Sequence, residues 1–386
     1  MERTISSHRP PGRIVMAQPN VGQEEAELVI RVLTSDSLSM GPMIEEFEGL
    51  LRKLVGRRHG VACNSGTSGL HLAVRGLGIG EGHEVLTTPF SFVASANCIL
   101  YERARPRFID IEEETLGMDP ALVEEAATAA TRAILPVHVF GNPCQIEDLE
   151  TISTRRGWAM VEDACEAIGS SIDGRPLGSF GNASVFAFYP NKQITTGEGG
   201  MVLTDDPELA DVMASMRNQG RDQDGTWLRH VRLGFNYRLD ELSAALGVAQ
   251  LRRIAVLREG RDRAARAYRE RLSSYEWLAL PTPRPGADVD WFVYVVRLSE
   301  TIDRDHVINE LGLRGIPTRP YFSPLHLQPF YRSEFGYRPG DYPVTERVAR
   351  TTLALPFSSL IPDADIDRVC SELASVVSES RVSTAR

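Results

Sequence analysis

The sequence predicts an α/β protein: a large three-layer α/β/α domain around a mainly parallel seven-stranded sheet, followed by a smaller α+β C-terminal domain. Two observations lead there. Between Val61 and Asp205, short and almost continuously apolar β-rich runs alternate with helical patterns, which is how strands buried on both faces of a parallel sheet read. Beyond about residue 275, after a long Arg/Ala/Leu-rich helical stretch, a second set of strand and helix patterns begins. The expected division is a loose N-terminal arm over 1–20, a large domain over 21–275 that includes the connecting helix, and a small domain over 276–386.

The strand candidates, in order, are "GVAC" (60–63), "EVLTT" (84–88), "RFIDI" (107–111), "RAILPVHVF" (132–140), "WAMVED" (158–163), "ASVFAFY" (183–189) and "MVLT" (201–204). Helices fit between them. "MIEEFEGLLRKLVG" puts Ile44, Phe47, Leu51 and Leu54 on one face and stops at Gly56, and "TSGLHLAVRGLG" does the same with Leu70, Ala73, Val74 and Leu77 before Gly78. Only a short loop separates the last two strands, so an antiparallel connection or brief excursion is expected. Residues 240–274 read as helix. "DWFVYVVRL" (290–298) opens the small domain, "HVINELGL" continues it, and Ile366, Val369, Leu373 and Val376 form the stripe of a closing helix.

The bulk numbers exclude several tasks. A net charge of −10 argues against binding a phosphate backbone, so no nucleic-acid partner is expected. No run approaches the roughly 18 apolar residues of a membrane span. The N-terminus lacks the apolar core of a signal peptide. The five cysteines, Cys63, Cys98, Cys144, Cys165 and Cys370, are scattered with no CxxC pair, which points to a reducing cytoplasm without disulfides or a metal site.

Three spots carry chemistry, and each follows a strand, where open α/β sheets bind ligands. "NSGTSGLHLA" leads from Cys63 into a helix; Gly66, Thr67 and Ser68 offer N–H groups and hydroxyls suited to a phosphate, or serve as an ordinary N-cap. "GLGIGEG" (76–82) follows a helix and fails the GxGxxG spacing, so it reads as a helix stop. Asp163 ends "WAMVED", either as a cap or as a partner for a cation. Lys192 in "YPNKQITTGEGG" lies between an apolar run and a glycine cluster. A desolvated lysine is a better nucleophile than an exposed one and forms a Schiff base with an aldehyde. Phosphate cradle, strand-end carboxylate and nucleophilic lysine together suit pyridoxal 5′-phosphate (PLP).

With "TTPFSFVASANCIL", "VEDACEAIGS", "FAFYPNKQITTGEGGM", "GFNYRLDELSAALGVAQL" and "YFSPLHLQPFY" in this order, the chain resembles the PLP-dependent sugar aminotransferases of the DegT/StrS family over nearly its whole length. The resemblance implies the fold type I, aspartate aminotransferase-like architecture. It also implies that Lys192 carries the cofactor and moves the proton, Asp163 binds the pyridine nitrogen, and Gly66, Thr67 and Ser68 hold the phosphate. Phe92 would stack on the ring, though by pattern it could equally be core. Glu166 would lie near the cofactor, or be a helix-surface carboxylate.

Asn236 would reach the phosphate of a neighbouring subunit, which makes the expected assembly a homodimer with shared sites. Arg238 would bind the donor carboxylate or form a structural ion pair. Tyr321 and His326 would face the sugar, and His138 is read as a satisfied strand-end residue. The family carries serine where this chain has Ala187, a loss of about 0.5–1.5 kcal/mol if one phosphate hydrogen bond disappears. A related branch with histidine at the lysine position dehydrates sugars; Lys192 sets this chain apart from it. The implied activity moves an amino group from L-glutamate or L-glutamine to a keto-sugar, expected to be nucleotide-linked, by a ping-pong mechanism. A keto-cyclitol acceptor, or a PLP-bound regulatory protein without turnover, are the alternatives.

Overall fold

Seven strands form the central sheet: β1 (His59–Cys63), β2 (Glu84–Thr87), β3 (Arg105–Phe108), β4 (Thr131–Leu135), β5 (Ala159–Asp163), β6 (Ala183–Ala187) and β7 (Gly200–Thr204), in the order β1-β7-β6-β5-β4-β2-β3. The computed structural model describes residues 13–222 and 228–384. β7 runs antiparallel to both β1 and β6, and all other pairings are parallel. The short loop between β6 and β7 has no room for a crossover helix, so the hairpin is the available connection.

Successive strand residues enter opposite cores. Met160, Phe186, Met201 and Leu203 join one cluster with Ile44, Phe47 and Leu51; Val161, Val185 and Val202 join another with Leu70, Ala73 and Val74. Period-two alternation with both sides apolar produces this two-sided burial. The helices Pro42–Val55 and Glu241–Arg252 cover one face, and Gly66–Gly76 and Pro207–Arg217 the other. Phe47 is fully buried and meets Phe188 edge-on at 5.0 Å. Burying such a ring contributes about 1.5–3 kcal/mol. The helix ends where expected, at Gly56 with φ 83°, a conformation that favours glycine. Leu54, placed by pattern on the inner face, is exposed; Val55 is buried instead.

Two strand ends differ from expectation. The run read as 132–140 stops at Leu135, because Pro136 has no N–H for the ladder, and Val139–Gly141 forms a 3₁₀ turn. The run read as 107–111 is displaced to Arg105–Phe108. The long helical stretch is two helices, Glu241–Arg252 and Ile254–Leu272, joined at Arg253.

The C-terminal part has its own antiparallel sheet, β8 (Leu278–Ala279), β9 (Tyr294–Leu298) and β10 (Thr352–Leu355), with β9 in the middle. Its core unites Tyr294, Val296 and Leu353 with Tyr268 and Leu272 of the connecting helix. Ile366, Val369, Leu373 and Val376 of the helix Asp363–Thr384 all lie in that core.

Of the expected loose arm 1–20, residues 1–12 lie outside those described. The remainder is pinned rather than loose. Ile14 is buried in the C-terminal core, the Met16 carbonyl accepts from Phe357 N, and the Asn20 amide donates to Ser359 Oγ. Apolar residues at 14 and 16 hold it there. Among the described residues no helix is long and apolar enough to cross a membrane.

Candidate active site

One edge of the sheet collects the candidate residues. β1, β5 and β6 end there at Cys63, Asp163 and Ala187, and antiparallel β7 begins there at Gly200. The chain leaving Cys63 enters the helix Gly66–Gly76 through Ser65, whose Oγ accepts from Ser68 N at 3.1 Å. Gly66 and Thr67 are its first residues, whose N–H groups have no intrahelical acceptor. The Ser68 hydroxyl already donates to Asn64 Oδ1 at 2.7 Å and contacts Ser65 Oγ at 2.9 Å, so it braces the turn and orients the cradle. A Cβ on Gly66 would stand 2.6 Å from the Ala187 methyl, and a Cβ on Gly200 only 2.4 Å from the Ser65 carbonyl oxygen. Glycine at 66 and 200 lets the helix N-terminus settle directly on the strand ends.

Lys192 sits in the loop that tips the β6–β7 hairpin. The loop closes on itself through Phe188 N to Gly199 O (2.9 Å) and Thr196 N to Phe188 O (3.0 Å). Gln193 Nε2 donates to the Glu166 and Asp290 carbonyls at 2.7 and 3.0 Å. The Lys192 side chain is 13% exposed; its Nζ lies 3.4 Å from Glu166 Oε1 and 4.1 Å from the centre of the Phe292 ring.

Glu166 is not a surface carboxylate. It is buried, and its Oε2 accepts Phe140 N at 2.9 Å. Burial raises its pKa, with the Lys192 charge opposing. Asp163 is buried too: Oδ2 accepts the Ser95 hydroxyl at 2.7 Å, and Oδ1 accepts Cys165 N at 3.1 Å. Cys165 joins these groups. Its Sγ would be 3.2 Å from a Cβ at Gly66, and burial, then the Asp163 charge, pushes its thiol well above the usual range, with Lys192 and Glu166 also acting on it. Lysine, strand-end carboxylate and helix N-terminus therefore share one neighbourhood.

Phe92 is 62% exposed, so it is a surface ring and not core. Tyr321 belongs to the same cleft. Burial and then the Glu166 charge raise its phenol, and its ring stacks on Phe140 at 6.3 Å between centres. Asn236 is exposed, and its carbonyl accepts weakly from Asn64 Nδ2 at 3.5 Å. Arg238 donates to Asn218 Oδ1 at 3.0 Å, a hydrogen bond to a neutral amide and not an ion pair.

The structure does not bring His326 to the cleft. It has no exposure, its Nε2 pairs with Glu346 Oε1 at 3.0 Å, and Tyr342 packs edge-on at 4.7 Å. An imidazole with a carboxylate partner inside an aromatic shell is a packing element. His138 is likewise buried: Nε2 meets Glu162 Oε1 at 2.8 Å and Nδ1 accepts Cys144 N.

Residues that sequence reasoning passed over include Ser95, Gln193, Phe292 and Arg261. Ser95 stood in the same motif as Phe92, and Gln193 stood beside the lysine. Phe292 read only as the start of a strand. Arg261 left a signal: it falls on the buried stripe of Leu257, Ala264, Ala265, Tyr268 and Leu272, where a charge is out of pattern.

The donor set fits PLP. The first-turn amides of Gly66 and Thr67 lack intrahelical acceptors and suit an anion, each Asp163 oxygen can accept one further bond, and Lys192 lies beside Glu166 in the same neighbourhood.

A family model described as the DegT/DnrJ/EryC1/StrS aminotransferase family matches residues 19–374. The chain is 36% identical to GDP-perosamine synthase of Caulobacter vibrioides over 95% of this chain and 98% of that protein. Its fold is similar to that of S. venezuelae DesV in complex with a ketimine intermediate, with a TM-score of 0.86, 35% identity, and coverage of 91% of this chain and 93% of that one. It is also similar to DesI in the presence of its TDP-sugar product, with a TM-score of 0.89, 33% identity and coverage of 97% and 95%.

Proposed function

Because the chain belongs to the DegT/DnrJ/EryC1/StrS aminotransferase family, which is PLP-dependent, we propose that it transfers an amino group from L-glutamate or L-glutamine to a nucleotide-linked keto-sugar by a ping-pong mechanism. The observation that carries this reading is Lys192, held at a hairpin tip against Glu166 and Phe292 in the neighbourhood of Asp163 and the Gly66 helix terminus. The relatives named for GDP-perosamine and a TDP-sugar product support the acceptor class. The five free cysteines suit a reducing cytoplasm, and exposed Asn236 suits a homodimer in which it reaches a second copy's cradle.

When bound, PLP supplies an electrophilic carbonyl and an electron sink. The protein supplies the rest. Gly66 and Thr67 N–H groups, with the Thr67 hydroxyl beside them, would hold the phosphate, while Ser68, bonded to Asn64 Oδ1, braces the turn. The Asp163 carboxylate, oriented by Ser95 and Cys165 N, would hold the ring-nitrogen proton through a charge-assisted bond of about 1.5–3 kcal/mol. Phe92, exposed in the free protein, would cover the ring face. Lys192 Nζ, with Glu166 Oε1 as its neighbour, would take and return the proton that the transfer moves. Arg238 and Tyr321 meet the substrates.

The experiment is multiple-turnover transamination by Lys192→Ala, with L-glutamate and L-glutamine each offered against nucleotide-linked keto-sugars and keto-cyclitols. No turnover is expected from the variant, and wild type is expected to accept the nucleotide-linked class. Full turnover by the variant, or a wild type active only on cyclitols, would overturn the corresponding part of the reading.

A further inference from the structure

We propose that Arg261 is a positioning residue for Lys192, setting where its amine stands through the lysine's own backbone carbonyl. Arg261 lies midway along the connecting helix and is 4% exposed. Its Nη2 donates to the Lys192 carbonyl at 2.7 Å, while Nη1 donates to the Trp291 and Phe292 carbonyls at 3.1 and 3.0 Å. One planar guanidinium thus ties the lysine to the residue whose ring lies under that lysine's ammonium. A compact ammonium cannot span two separate chain segments in this way.

The setting makes the clamp rigid. Gln193, the next residue, bridges the Glu166 and Asp290 carbonyls, so residues 192–193 are held from the connecting helix, the Asp163–Glu166 turn and the start of the C-terminal part. Burial pushes Arg261 down to about 10, with Asp290 opposing. The Asp290 carboxylate is buried, and neither oxygen has a hydrogen-bond partner among the described residues. When ionised it opposes the desolvation of a cation whose Nη1 and Nη2 donors go to backbone carbonyls and whose Nε finds no partner among the described residues. An arginine serving only to fill space would not need three carbonyls from two segments, one of them the reactive lysine's.

This inference rests on Lys192 being the PLP-linked residue, and its test separates the two. The probes are PLP, which can link to a lysine, and pyridoxamine phosphate, which cannot. The variants are Arg261→Lys, and Arg261→Met combined with Asp290→Asn so that no lone charge is left buried. Each is compared with wild type for thermal melting, the rate at which the visible PLP–lysine band forms in cofactor-free protein, and the pH midpoint of that band.

We expect the double variant to form the band more slowly by about tenfold or more, as a small misplacement does, with a shifted midpoint. Pyridoxamine phosphate affinity should stay within about twofold of wild type. Arg261→Lys should fall between. Equal losses for both probes, or wild-type rate and midpoint, would overturn the positioning role. If the double variant does not fold, Arg261→Lys decides by the same two criteria. A wild type that forms no Lys192 band would instead defeat the cofactor reading itself.

Discussion

The close backbone approach of strand β7 to the helix end at Gly66 is easy to perturb. A methyl group added by Gly200→Ala would stand 2.4 Å from the Ser65 carbonyl oxygen, 2.5 Å from its carbon and 2.7 Å from Gly66 N. All three are backbone atoms, so no rotamer change relieves them. Carbon–carbon contacts are most favourable at about 3.5–4.0 Å, so strand and helix must part by about 1 Å. β7 resists, because Gly200 pairs with both Cys63 and Ala187. The expected cost is about 1–3 kcal/mol of stability.

The amides of Gly66 and Thr67 move with the helix end. Losing one bond to a charged group costs about 1.5–3 kcal/mol, so PLP should bind roughly ten- to a hundredfold more weakly. Urea unfolding of cofactor-free protein measures the first effect, and PLP titration the second. Gly49→Ala is the control: it lies mid-helix, with its nearest neighbour 3.8 Å from the new Cβ, and should stabilise by about 0.5–1 kcal/mol. Wild-type stability and PLP affinity in Gly200→Ala would refute the close-packed cradle. A comparable loss in Gly49→Ala would show that local contact is not the cause.

Three other perturbations discriminate further. Phe92→Ala removes a ring that is 62% exposed; unfolding should change by less than about 0.5 kcal/mol while PLP affinity falls, and a large stability loss would return Phe92 to the core. Buried Glu241 accepts from Gly41 N, Met43 N and Ile44 N, capping the helix Pro42–Val55 from another helix. Glu241→Ala should cost about 3 kcal/mol in urea unfolding, and a loss below about 1 kcal/mol would mean that water replaces the cap. Burial pushes Asp290 up to about 7, with Arg261 and Arg258 opposing and Asp262 and Asp288 reinforcing. The folded chain then holds this proton more tightly than the unfolded chain, so stability is full below the ordinary value of 3.8 and is lost as pH rises towards about 7. Asp290→Asn should remove that slope from a series of melting temperatures; an unchanged slope would assign it to other groups.

Much of the site could be read in the chain. Asp163, Lys192 and the Gly66 turn each ended or followed an apolar run, and an apolar run bounded by small residues marks a strand end almost wherever it occurs. The same logic could not sort His326 from Tyr321. Five residues apart in one motif, one turns into a carboxylate-capped aromatic shell and the other stands beside Glu166. Direction within an irregular segment depends on what packs against it, and nothing in the local pattern encodes that. Glu166 and Phe92 show the same limit in reverse. The carboxylate is buried and the phenyl ring exposed, the opposite of their average behaviour.

By itself, then, the sequence determined the seven-stranded layered fold, the hairpin that carries Lys192 and the strand-end placement of Asp163. These follow from alternation, apolar run length and glycine placement, which are local properties. Only the tertiary structure decided what surrounds the lysine. Arg261 comes from 69 residues further along the chain, Phe292 opens the C-terminal part, and Ser95 reaches Asp163 across 68 residues. Such contacts form because burying the two faces of the sheet brings distant segments to one edge, and there a buried cation or carboxylate must find partners wherever the fold supplies them.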